Sequence, residues 1–172
     1  MSFVDHIVTG FRDIEVELGG IERTIELAKD VRTLPGRIYF IGNGGSAAIA
    51  SHMAIDFMNK AKFDAVAFND LAALTCLAND YGYDQVFAKP LENSHFFDLL
   101  FAISSSGRSK NILNAVEVAR AGHVDVVTLT GFDSDNLLRK LGNVNFYVPS
   151  HNYGVVETVH LGILHTLLEA LC

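Results

Sequence analysis

The chain has 172 residues, 49 % of them hydrophobic and 19 % charged, with a formal net charge of −7. That length suits one domain with a substantial core, and so acidic a chain lacks the basic face that releases counterions from nucleic acid. No window of about 18 residues stays apolar and uncharged, so no membrane span is expected. Nor do a basic flank, an apolar stretch and a small-residue cleavage site follow one another at the start, so no signal peptide is expected. Cys76 and Cys172 form no metal or redox spacing and no disulfide framework. They read as buried free thiols of a protein in the reducing cytoplasm.

In chain order, residues 3–33 predict one amphipathic helix or two, with Gly19-Gly20 as a kink and Pro35-Gly36 as the stop. Five β-rich runs follow: RIYFI (37–41), AVAF (65–68), DLLFAIS (98–104), VDVVTLT (124–130) and VNFYV (144–148). Helical patterns alternate with them, and VVETVHLGILHTLLEAL closes the chain. Near-continuous apolar strands alternating with helices predict a parallel sheet covered on both faces. The expected fold is an α/β three-layer sandwich with a five-stranded parallel sheet, wound in the flavodoxin-like manner, plus an N-terminal helix. One domain spans 1–172, with 1–34 as a helical segment and 36–172 as the α/β core. Ligands of such sheets bind beyond the carboxyl ends of the strands.

Two of those ends are unusual. Ile41–Ser46 reads IGNGGS, where glycines let the backbone turn tightly and approach a ligand while the next helix offers unpaired N–H groups. It matches neither the dinucleotide fingerprint nor the Walker loop. Ile103–Asn111 reads ISSSGRSKN and crowds Ser104, Ser105, Ser106 and Ser109 around a glycine where a helix begins. A capping serine needs one hydroxyl; four hydroxyls, free backbone N–H groups and the helix dipole suit phosphate. An acidic protein would hold an anion in this way, without relying on long-range attraction.

Further along, His52 and Asp56 at i and i+4 share a helix face. The spacing suits two ligands of one divalent ion or a ligand beside a base, and equally a surface acid beside a core-edge histidine. Glu157, His160 and His165 interrupt the greasy last helix, where ionisable groups are costly unless paired or coordinated. By spacing alone His160, at i+3, is the partner of Glu157. His165 lies about 12 Å further along the axis than Glu157.

GNGGS followed by a helix, then AISSSGRSKNI after a later strand, resembles the sugar isomerase (SIS) domain family, and within it the phosphoheptose isomerases. LANDYGYDQVF (77–87) and VVTLTG (126–131) extend the resemblance from about Gly36 to the C-terminus. It implies an aldose–ketose isomerase acting on a sugar phosphate, sedoheptulose 7-phosphate to glycero-manno-heptose 7-phosphate, in the cytoplasm. It also implies a divalent metal, zinc, and a homotetramer with sites at subunit contacts. Carried onto this sequence, the metal shell would be His52, Asp56, Glu157 and His165, with Asp56 and His165 as acid–base residues. Asp56 stands where the family has Glu, and Glu157 where it has Gln. Ser104, Ser105, Ser106 and Ser109 would hold the phosphate, and Asn43, Gly44 and Ser46 the sugar chain. Lys60 stands near the family's usual arginine, and Asp70 matches a substrate-proximal acid, though an N-cap is its plain alternative. The glycine loop also resembles non-catalytic SIS proteins that bind the replication initiator DnaA, but those lack the acid and final histidine kept here at Asp56 and His165.

Overall fold

Ile38–Gly42 is buried at every position, as a strand covered on both faces must be. The structure, a computed structural model, describes residues 2–17 and 19–172. Its helices are α1 (Phe3–Arg12), α2 (Gly20–Thr33), α3 (Gly45–Asn59), α4 (Leu71–Tyr81), α5 (Ala88–Leu91), α6 (Lys110–Ala121) and α7 (Tyr153–Glu169). Its strands are β1 (Glu15–Val16), β2 (Ile38–Gly42), β3 (Ala65–Ala67), β4 (Leu99–Ser104), β5 (Asp125–Thr130) and β6 (Val144–Tyr147). They form one sheet in the order β1-β6-β5-β4-β2-β3. The five strands β2 to β6 run parallel. Their order is the flavodoxin-like one, with a switch point between β2 and β4.

Alternate residues of each strand feed two cores. On one face Ile38, Phe40, Phe101, Ile103, Val127 and Leu129 meet α2, α3 and α7; Phe40 and Phe101 stack with centroids 4.9 Å apart. On the other, Tyr39, Ile41, Leu100, Ala102 and Val126 meet α5, α6 and the turn before α5. No helix among the described residues is long and apolar enough to cross a membrane.

The sheet departs from expectation at its edge. The sixth strand, β1, pairs antiparallel with β6 (Glu15↔Tyr147, Val16↔Phe146), so the sheet is mixed. Ile14 continues the helical spacing of Ile7, and the two-residue strand that follows forms only on the free edge of β6. Gly19, at φ 78°, then starts α2 anew. Both cysteines are exposed, contrary to the buried thiols expected. Between β5 and β6 the only regular structure is one 3₁₀ turn, Leu138–Lys140.

His160 is fully buried on α7, with its Nε2–H donating to the Thr130 carbonyl at 3.0 Å and no partner for Nδ1. Burial pushes its pKa from 6.5 down to about 4, because a second proton would sit on Nδ1 in an apolar core. The unfolded chain therefore binds this proton at a higher pH than the folded one does. Stability from the neutral ring is present above pH 6.5 and is lost as pH falls toward 4. Between pH 7 and pH 5 the wild type should lose about 2 kcal/mol more unfolding free energy than His160→Gln, by urea titration. Equal losses would mean that the ring is not held neutral.

Candidate functional site

At the switch point Gly42 of β2 lies in register with Ile103 of β4, so the glycine and serine loops leave neighbouring strand ends side by side. The chain turns from β2 into α3 on one face of the sheet and from β4 into α6 on the other. A crevice opens between the two loops. Gly44, at φ 55°, makes the turn that no side chain would favour.

The crevice is a cleft of about 240 Å³ lined by Asn43, Gly44, Gly45, Ser46, Ile103–Ser106, Ser109, Tyr153 and Glu157. Ser104 Oγ accepts from Gly107 N at 3.2 Å, and Ser106 Oγ from Arg108 N at 3.3 Å, so both hydroxyls shape the loop. Ser105 Oγ is buried without a partner. Ser109 occupies the N-cap position of α6 but does not spend its hydroxyl on capping. An unpaired buried hydroxyl is costly, and beside it lies the first turn of α6, whose leading N–H groups lack acceptors within the helix. A free hydroxyl beside a helix N-terminus is chemistry suited to an oxyanion.

Gly107 closes the serine loop at φ 59°, and a Cβ there would collide with the Asn136 carboxamide. Asn136 is itself fixed, donating to Gly131 O and Asp133 O and accepting from Arg139 N. At the other wall, Glu157 places its carboxylate against Gly45, where a Cβ would leave it no room.

Below the cleft, α3 and α7 lie side by side. Ligand atoms of His52, Asp56 and His165 fall within 4.8 Å of one another. His52 Nε2 is 3.7 Å from Asp56 Oδ2, and the His52 and His165 rings meet edge to face at 5.4 Å. The carboxylate is the least exposed part of the pair, 15 % against 52 % for the imidazole. Two imidazoles and a carboxylate are a fitting donor set for a divalent ion.

All seven loop residues expected to contact substrate thus line one cleft, and three of the four expected metal ligands converge within a single chain. Glu157 does not join the three, because more than two helical turns separate it from His165; it faces the cleft. His160, the partner that spacing alone selected, faces β5. Lys60 Nζ pairs with Asp56 Oδ2 at 3.1 Å, away from the serine loop. Asp70 caps α4 by accepting from Ala73 N at 3.0 Å, and does not line the cleft. Tyr153 is the lining residue that sequence reading missed; its signal was Asn152, whose cap on Val155 N puts the first turn of α7 at the mouth. A larger groove, about 690 Å³, lies along β1 and the start of β6, but its Arg139 is engaged by Glu15 at 2.6 Å.

Residues 2–131 match the SIS domain model, leaving β6 and α7 outside the match. The chain is 38 % identical to a phosphoheptose isomerase of Colwellia psychrerythraea over 144 residues, 78 % of this chain and 74 % of that one. It is 32 % identical to the phosphoheptose isomerase of Klebsiella pneumoniae over 94 % of this chain and 86 % of that one. The solved structure of phosphoheptose isomerase GmhA from Neisseria gonorrhoeae superposes with a TM-score of 0.87 at 31 % identity, covering 98 % of this chain and 94 % of that one.

Replacing Gly107 with Ala should destabilise the protein by about 2 kcal/mol or more, since positive φ and the Asn136 collision act together. Urea unfolding measures this, and an unchanged midpoint would show that the serine loop is not braced by Asn136.

Proposed function

The chain belongs to the SIS domain family, and on that premise we propose that it is an aldose–ketose isomerase converting sedoheptulose 7-phosphate to glycero-manno-heptose 7-phosphate. One observation carries the reading. The unpartnered Ser105 hydroxyl and the α6 N-terminus share a cleft with α3 and α7, the two helices that bring His52, Asp56 and His165 together. Ser46 and His52 are about 9 Å apart along α3, and Glu157 and His165 about 12 Å along α7. An anion end and a reacting end so separated accommodate an extended polyol chain between them. The whole chain, 1–172, forms the unit in this reading, since α7 supplies His165.

The phosphate is received by Ser105, Ser109 and the N–H groups of the α6 first turn, with Ser104 and Ser106 shaping the loop. Gly44 and Ser46 offer backbone and hydroxyl to the sugar chain, while Glu157 accepts from its hydroxyls. Asp56 takes the proton from the carbon beside the carbonyl, giving a cis-enediol. His165 passes a proton from one oxygen to the other, and the proton on Asp56 is returned to the former carbonyl carbon. His52, Asp56 and His165 would hold zinc, which when bound supplies polarisation of the carbonyl and its neighbouring hydroxyl. Lys60, paired with Asp56, keeps that carboxylate oriented.

A cytoplasmic homotetramer belongs to the same reading. Val4, Val8 and Phe11 form an exposed i, i+4, i+7 stripe on α1, and Ile55 and Met58 an exposed pair on α3. An apolar stripe of this kind suits contact with another copy.

NMR of the purified protein with sedoheptulose 7-phosphate tests the activity, and no conversion by zinc-loaded protein would overturn it. Asp56→Asn should lower kcat by at least about a hundredfold, while calorimetry shows sedoheptulose 7-phosphate still binding. Unchanged turnover would remove Asp56 from the base role.

A further inference from the structure

Two asparagines 68 residues apart face each other across the crevice. Asn43 Nδ2 donates to Asn111 Oδ1 at 2.9 Å, and Asn111 Nδ2 returns a bond to Asn43 Oδ1 at 2.9 Å. The hydroxyl of Tyr83, from the turn after α4, donates to the same Asn43 oxygen at 3.0 Å. Both lone pairs of Asn43 Oδ1 are thereby used, and one N–H remains to its carboxamide. Asn111 is 3 % exposed, in the first turn of α6, and does not line the cleft.

We propose that Asn111 is a positioning residue: its reciprocal amide pair with Asn43 fastens the serine loop to the glycine loop and sets the width of the anion cleft. The inference rests on the reading of that cleft as the phosphate site. On its far flank the serine loop is already fixed, through Asn136 packed on Gly107 and through Leu138 N donating to Gly107 O at 3.1 Å. The open direction is toward the glycine loop, where α3 and α6 diverge to opposite faces of the sheet and no shared core holds them. The amide pair spans that gap. Asn43, expected to hold the sugar chain, has this bond as its main task.

Loss of the Asn111 side chain leaves the Asn43 carboxamide with unmet bonds and lets the loops separate. The cost falls on ligand binding, because Asn111 is on the side of the cleft away from Asp56 and His165. Tyr83→Phe removes one bond from an exposed side chain and keeps the fold intact.

Steady-state kinetics with sedoheptulose 7-phosphate and calorimetry with inorganic phosphate, on the zinc-loaded full chain, test this. Asn111→Ala should raise KM and the phosphate Kd by about tenfold, and Tyr83→Phe by about threefold, with kcat within about twofold of wild type. Asn43→Ala combined with Asn111→Ala should be no worse than Asn43→Ala alone, since each single variant already removes both bonds of the reciprocal pair. If wild type turns over and binds phosphate but Tyr83→Phe and Asn111→Ala leave both constants unchanged, the clamp is overturned while the site stands. Fully additive losses in the double variant would overturn it too. If wild-type protein binds no phosphate, the reading of the cleft falls first and the clamp with it.

Discussion

Two neighbouring parallel strands, β2 and β4, send their chains to opposite faces of the sheet, and every functional feature depends on that divergence. A right-handed crossover carries each following helix to one face. Where the direction changes, the two strand-end loops cannot pack on each other through their helices, and a crevice is left. The glycine loop supplies backbone that can approach a ligand closely. The serine loop supplies hydroxyls and the first turn of α6. α7 then crosses beside α3 and closes the crevice with Tyr153 and Glu157, while His165 lies further along beside His52 and Asp56.

This geometry explains how an acidic chain can hold an anion. The cation inside the serine loop, Arg108, is already engaged by Asp135 at 2.8 Å. Attraction has to be local, from a helix terminus and hydroxyl donors fixed before the ligand arrives. A site of that kind needs rigid walls, because its donors must be aimed rather than merely present. Asn136 stiffens one flank of the serine loop, and the Asn43–Asn111 pair the other. Glu157, a carboxylate in the same cleft, favours hydroxyl-bearing portions of a ligand and repels misplaced phosphate, which gives the cleft a direction.

The parallel sheet was legible because strands buried on both faces are written as unbroken apolar runs, as at Ile38–Ile41 and Leu99–Ile103. β1 was not, because a strand of two residues leaves too short a pattern to read and is extended only by pairing with β6. The serine loop stood out since four hydroxyls exceed the need of one cap. The Asn43–Asn111 pair did not, because a bond between residues 68 apart leaves no periodic trace. Spacing on one helix told which of Glu157, His160 and His165 share a face. It could not tell which reach α3, and helix packing chose His165.

The central claim is that one ligand bridges the serine loop and the His52–Asp56–His165 group. A crystal structure of the Asp56→Asn variant with sedoheptulose 7-phosphate tests it most directly. The expected density has phosphate oxygens within hydrogen-bonding distance of Ser105 Oγ and the first turn of α6, and the carbonyl end beside His52 and His165. Phosphate seated instead in the groove along β1 and Arg139, or a sugar chain directed away from α3 and α7, would contradict it.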